Sequence, residues 1–159
     1  MCAVKDGFAI RTVGHSISDR MRASLAVNAL KDAVRRRGNP TEVNVHSDRG
    51  SPFRSRKYRR ALRRHQLRGS MGCVGACADD VAMESFFSLL QKNVLNQHTW
   101  ATRDQLRLAI VPWIEARYRR RRRQRRLGKL TPIEYEAIMN QTAALSIRNR
   151  VNQRLSILY

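Results

Sequence analysis

An α/β domain is the fold class the sequence predicts, on three observations. Short runs patterned for β-strand alternate with longer segments whose apolar residues recur at helical spacing. Hydrophobic residues make up 42% of the 159 positions, close to the globular norm and enough for one real core. Glycine and proline fall between the patterned segments, at Gly38, Pro40, Gly50 and Gly69, where elements have to end.

Residues 2–5 form a short strand, and residues 8–17 a longer one with a bulge at Gly14. From about Ser18 to Arg37, Leu25, Ala29, Leu30, Ala33 and Val34 share one helical face, and Gly38 and Pro40 end the helix. Val43-Asn44-Val45-His46 reads as a strand running into Asp48. Ser51-Pro52 is an N-cap followed by proline at the first helical position. The helix it opens carries Phe53, Tyr58, Ala61 and Leu62, with Gly69 closing it. Residues 69–79 read as a short strand and a loop, after which Asp79 or Asp80 caps a helix striped by Met83, Phe86, Phe87, Leu90 and Val94. A further helix, from about Thr102 to Arg117, buries Leu106, Ile110, Trp113 and Ile114.

Charge narrows the function. Lys and Arg total 32 against 12 acidic residues, a net +20 that calls for a polyanionic partner, most often nucleic acid. No stretch approaches the length of apolar chain that spans a bilayer, and the first residues lack the charged-then-apolar order of a signal peptide. Three cysteines, Cys2, Cys73 and Cys77, without a disulfide framework fit a reducing cytoplasm. Cys73 and Cys77 lack a nearby His or Cys pair to complete a zinc tetrahedron and read as small packing residues.

Two carboxylates carry the chemistry. Asp48 sits at a strand end in His46-Ser47-Asp48-Arg49-Gly50-Ser51, and Glu84 lies on a later helix, with 35 residues between them. Glu84 stands beside the apolar stripe, at the rim of the core, where a strand-end carboxylate can meet it. Converging carboxylates hold the divalent ions that clamp a phosphodiester. Taken singly, Asp48 is a turn residue and Glu84 a solvated helix residue. Their flanks argue for more.

His46-Ser47-Asp48-Arg49-Gly50-Ser51, then Gly69-Ser70-Met71-Gly72, then residues 79–87 in order resemble the catalytic core of bacterial insertion-sequence transposases. These belong to the retroviral-integrase superfamily with its Asp-Asp-Glu triad. Residues 99–103, Tyr118, and the stretch from Leu127-Gly128 to Thr131-Pro132 resemble the next segment of the same family. The likeness implies a ribonuclease-H-like integrase core lacking its first strand, followed by helices and a basic C-terminal segment. The expected division is 1–116 for the partial core and 117–159 for the arginine-rich segment and tail.

By that resemblance Asp48 and Glu84 are catalytic residues and ligands of Mg²⁺ or Mn²⁺, and the reaction is DNA cleavage and strand transfer. The family's first Asp lies on a strand before residues 1–5, and nothing in this sequence takes its place; Asp6 reads as a strand-end or turn carboxylate. Asp80 stands where the family has Asn. Gln91, with Lys92 beside it, stands where a DNA-contacting Lys or Arg is common. Arg119, Gln124 and Arg125 replace the usual Asn, His and Ser.

The run that includes Arg119, Arg120, Arg121, Arg122, Arg123, Arg125 and Arg126 repels itself unless a polyanion neutralises it. It reads either as a solvated, frayed helix end or, with Lys92, as a set of DNA phosphate contacts. The expected partners are element-end and target DNA, with a homo-oligomer or an association with full-length transposase, and no membrane. A chain with two of three carboxylates is expected to be inactive alone; the alternative is a non-catalytic DNA-binding fragment that modulates or inhibits full-length transposase. In the tail, Ala144, Ile147, Val151, Leu155 and Leu158 form an amphipathic helix, or the tail is a frameshifted end.

Overall fold

The computed structural model describes residues 1–71, 78–145 and 154–158, and these fall into two compact units. The first comprises Met1–Phe8, Thr12–Val81 and Asn152–Tyr159, and the second Ala9–Arg11 and Ala82–Val151. The strand Arg154–Leu158 belongs to the first unit.

In the first unit, β1 (Cys2–Asp6) pairs antiparallel with β2 (Thr12–Ser16). The register steps between Val4↔Gly14 and Lys5↔Thr12, so the bulge expected at Gly14 falls just beside it. Gly14 has another reason to be glycine. A Cβ there would stand 2.5 Å from both the Ala29 carbonyl oxygen and the Ala33 amide nitrogen of α1 (Ala23–Arg36). Absence of a side chain on the strand and two alanines on the helix let the backbones approach closely. The helix buries Leu25, Ala26, Ala29, Leu30, Ala33 and Val34, the stripe its spacing predicts, and Gly38 at φ 69° ends it in the left-handed region.

Then come β3 (Asn44–Ser47), α2 (Ser51–Arg54), α3 (Arg56–Arg64) and β4 (Arg68–Met71). The single helix expected after Ser51-Pro52 is broken at Ser55. That residue takes extended backbone angles, and its hydroxyl accepts the Tyr58 amide at 3.1 Å, capping α3. Phe53 and Tyr58 then meet edge to face, 5.3 Å apart, in the core beneath α1. Gly69 does not close a helix. It lies inside β4, paired in parallel with Val45 of β3.

The last element corrects two expectations. Arg154–Leu158 is a strand, β5, rather than helix, because the sheet offers it two open edges at once. Sheet order is β2-β1-β5-β3-β4, with β5 antiparallel to β1 and parallel to β3. The place beside β1, expected from the sequence to be empty, is filled by the tail. Ile147 and Val151 of the expected tail helix lie outside the described residues, as do Cys73 and Cys77.

The second unit is helical. It contains α4 (Ala78–Leu90, shared with the first unit at its start), a π-helical turn over Gln91–Leu95, and α5 (Arg103–Pro112). A second π turn spans Trp113–Tyr118, and α6 (Pro132–Leu145) ends the unit. Helix α4 begins at Ala78, so Asp79 and Asp80 lie within it rather than before it. Pro112 has no amide hydrogen to continue the α pattern, and the π turn starts at the next residue.

Candidate functional site

Asp48 lies just past β3 at its carboxyl end, where the parallel pair β3–β4 opens. Ligands of α/β sheets bind outside such strand ends. The side chain is half-buried, and its Oδ1 accepts the Gly50 amide at 2.6 Å, an Asx turn that fixes the chain as it enters α2. Two residues earlier, His46 Nδ1 lies 3.0 Å from Ser70 Oγ, across the register pair His46↔Ser70. The Asp48 motif and the Gly69-Ser70 motif thus lie on neighbouring strands bonded through their side chains. At the start of β1, burial pushes the Cys2 thiol up to about 12, and the Asp48 charge adds to the rise. Cys2 is free and buried, and serves packing.

Asp6 takes the structural part expected of it. It is 5% exposed at the end of β1, its Oδ1 accepts the Phe8 amide at 2.8 Å, and its other oxygen pairs with Arg37. That carboxylate is committed to the fold.

Glu84 lies in the second unit, exposed on α4 beside buried Met83 and Phe86. The two candidate carboxylates therefore belong to different units. Hard oxygen donors of this kind suit Mg²⁺ or Mn²⁺, yet among the described residues no cluster of three potential metal ligands occurs.

The arginine segment has more structure than its charge suggests. Phe86, Trp113 and Tyr118 form an aromatic cluster, with Phe86–Tyr118 at 4.9 Å, Trp113–Tyr118 at 5.5 Å and Phe86–Trp113 at 6.0 Å. Burial pushes the Tyr118 hydroxyl up to about 12, against the opposing pull of Arg122, whose guanidinium lies 6.0 Å over the ring. Arg119 is 6% exposed and paired with Glu115, so it departs from the phosphate-facing residue expected. The others, Arg120, Arg121, Arg122, Arg123, Arg125 and Arg126, are exposed, as is Lys92 on the first π turn. A bridge between Gln124 and Leu130 and a left-handed Gly128 at φ 65° fold the end of the run back, anchored by buried Leu127.

Below that array is a cleft of about 340 Å³ lined by Trp113, Arg117, Tyr118, Arg121 and Arg122, with Leu89 and Asn93. An apolar aromatic floor with guanidinium groups at its rim suits a nucleotide, base against ring and phosphate against arginine. Arg117, Trp113 and Tyr118 are absent from the contact residues expected from the sequence. Their signal is present there all the same: aromatic and arginine positions four apart, at 113, 117 and 121 and again at 118 and 122.

Two family models, each described as an integrase core domain, match residues 1–77 and 84–139. Transposase InsF for insertion sequence IS3A, from Escherichia coli (strain K12), is 38% identical over 136 residues, covering 86% of this chain and 47% of the relative. An insertion element IS600 uncharacterized 31 kDa protein from Shigella sonnei is 33% identical over 144 residues, covering 91% of this chain and 53% of the relative. The chain thus spans about half the length of the curated relatives it matches. Among solved structures, a simian T-cell lymphotropic virus intasome in complex with PP2A regulatory subunit B56 gamma gives a TM-score of 0.45 at 18% identity. That match covers 60% of this chain and 35% of the other.

Proposed function

The chain belongs to the integrase core domain family of the bacterial insertion-sequence transposases, with that family's ribonuclease-H-like α/β fold, and from that premise we propose that it serves DNA transposition. In this reading Asp48 and Glu84 are the carboxylates that together receive Mg²⁺ or Mn²⁺ against a DNA phosphodiester. The ion supplies charge neutralisation at the phosphate and an activated oxygen nucleophile. The chain's own residues position the donor: the Asx turn at Gly50 holds the Asp48 carboxylate at the mouth of the parallel strands. Arg120, Arg121, Arg122, Arg123, Arg125, Arg126 and Lys92 contact phosphates without reading sequence.

The observation that carries the reading is Asp48's place at the carboxyl end of β3, beside the Ser70 strand, in a chain so matched. Two-ion strand transfer needs more converging ligands than two side chains supply, so the isolated chain is inactive. A cleavage and strand-transfer assay on element-end DNA with Mg²⁺ or Mn²⁺ tests this. Robust activity that disappears in Asp48→Asn overturns the inactivity while supporting the site. Activity untouched by Asp48→Asn removes Asp48 from the chemistry.

The exposed arginines also favour a second reading, a DNA-binding chain without catalysis that pairs with full-length transposase and restrains it. Such a chain keeps its DNA affinity in Asp48→Ala and Glu84→Ala and loses it when the exposed arginines of residues 120–126 are neutralised.

A further inference from the structure

Two clefts of the helical unit adjoin and share a wall. The cleft of about 340 Å³ below the arginine array and a second of about 370 Å³ have Asn93, Trp113 and Arg117 in common, so they form one groove with two compartments. The compartments differ in chemistry. Arg121 and Arg122 line the first, whereas Val94, Trp100 and Pro112 give the second an apolar lining. Among the described residues no Asp or Glu lines either one. Each lies at the small end of the volumes that hold a bound ligand, roomy enough for a nucleotide and too small for a duplex.

An uncommon piece of backbone builds the shared wall. Asn93 stands on the π turn Gln91–Leu95, and Trp113 and Arg117 on the π turn Trp113–Tyr118. Such turns are rare and frequent at functional sites. Pro112 accounts for the second, and no proline lies in or beside the first. The groove also opens away from the candidate carboxylate of this unit. Leu89 of the first compartment, five residues on from Glu84, stands about 140° round α4 from it at 3.6 residues per turn.

The polar and aromatic groups are already ordered. Asn93 Nδ2 donates to the Leu89 carbonyl at 2.8 Å and Gln97 Nε2 to the Lys92 carbonyl at 2.9 Å, which leaves each amide oxygen to accept from a base. Trp100 is half-buried, its Nε1 donates to the Leu95 carbonyl at 3.3 Å, and His98 packs edge-on against it at 5.8 Å. An indole so held is a stacking platform that loses little freedom when a base arrives.

We propose that this groove is a binding site for single-stranded DNA, two successive nucleotides long. One base stacks on Trp100 in the apolar compartment, the phosphate between the nucleotides meets Arg117, and the second nucleotide lies beneath Arg121 and Arg122. Phosphate contacts alone hold a duplex and a single strand alike. The groove adds a preference for unpaired bases, independent of any metal ion at Asp48 and Glu84.

Both tryptophans of the chain line the groove, so their emission reports on it directly. The full chain, in EDTA so that no divalent ion takes part, is titrated with a single-stranded DNA dodecamer that cannot self-pair and with the duplex of the same sequence. The single strand is expected to quench the emission saturably, and the duplex to bind by anisotropy while leaving the emission unchanged. Trp100→Ala is expected to weaken single-strand binding at least about fivefold, the loss of one stacked base, with duplex affinity unmoved and Trp100→Phe restoring most of it. Arg117→Gln is expected to weaken the single strand with both indoles in place.

Equal quenching by the duplex overturns the preference for unpaired bases. Single-strand affinity untouched by Trp100→Ala and by Arg117→Gln overturns the groove as its site. Should Trp100→Ala fold poorly by circular dichroism, Arg117→Gln and the comparison of strand with duplex still decide. RNA of the same sequence quenching at lower concentration, or an acidic peptide quenching where the DNA strand does not, overturns single-stranded DNA as the occupant. None of these results touches the metal reading of Asp48 and Glu84.

Discussion

The sheet unit and the helical unit distribute the same excess of positive charge differently. In the sheet unit, folding pairs part of the charge: Arg37 pairs with buried Asp6, and Asp32 of α1 holds Arg35 at 2.7 Å, Arg36 at 3.1 Å and the His15 amide at 3.3 Å, while Arg56, Lys57, Arg59, Arg60, Arg63 and Arg64 of α3 stay exposed. In the helical unit, Glu115 takes up Arg119, while residues 120–123, 125 and 126 present their guanidiniums to solvent around an aromatic cleft. The difference teaches that charge density alone says little about binding. What matters is whether the fold supplies each cation with a partner. The exposed cations of the sheet unit lie along α3, and those of the helical unit cluster around an aromatic cleft.

The largest expected effect breaks or secures that contrast directly. If the helical unit neutralises roughly six to ten phosphates, DNA affinity falls about 10³- to 10⁵-fold between 50 and 200 mM salt. Replacing Arg120, Arg121, Arg122, Arg123, Arg125 and Arg126 by Gln is expected to flatten that slope, as read by fluorescence anisotropy, whereas Arg119→Gln chiefly costs stability. A steep slope surviving the six replacements moves the interface to the sheet unit.

Core variants sharpen the contrast, because both tryptophans, Trp100 and Trp113, lie in the helical unit and report on it alone. Phe86→Ala removes the centre of the aromatic cluster and is expected to cost about 3–5 kcal/mol. Urea unfolding monitored by tryptophan emission measures it. Gly14→Ala drives a methyl group into the α1 backbone and is expected to cost about 1–3 kcal/mol in the sheet unit. Faster amide exchange in β2 and α1 records the loss, and an unaltered exchange pattern rejects the close-approach account.

The smallest effects are local and depend on pH. Helix α6 opens with a capping box in which Glu134 accepts the Thr131 amide at 2.9 Å and the Thr131 hydroxyl accepts the Glu134 amide at 3.2 Å. Thr131→Ala is expected to cost about 0.5–2 kcal/mol of helix stability, read by exchange at the first turn of α6. Bonds from the Thr131 amide and hydroxyl hold the Glu134 carboxyl below its ordinary value. At Asp32, burial would raise the carboxyl, but the His15 amide with Arg36 and Arg35 outweighs it and holds it low too. Both groups lend stability that is full above their ordinary carboxylate values and is lost as pH falls through the lowered folded ones. An acid titration by NMR is expected to show both titrating late, and Asp32→Asn to remove part of the acid sensitivity of α1.

Much of the fold is legible in the sequence where physics is local. The α1 stripe, its Gly38 stop, the strand into Asp48 and the proline-opened α2 all rest on side chains within a few turns of one another. The break at Ser55 is not legible, because one hydroxyl capping Tyr58 outweighs helix-favouring neighbours on both sides. Nor is the burial of Arg119, because seven like neighbours look alike in a string, and only Glu115, one turn back, singles it out.

The amino-acid sequence by itself determined the α1 helix with its Gly38 stop, the strand running into Asp48, the proline-opened α2 and the spacing of the Asp48 and Glu84 motifs, since each depends on near neighbours in the chain. Only the tertiary structure decided that Arg154–Leu158 is the central strand of the sheet. So short an apolar-polar run carries no preference strong enough to choose strand over helix. The hydrogen bonds that choose for it come from β1 and β3, more than a hundred residues earlier in the chain.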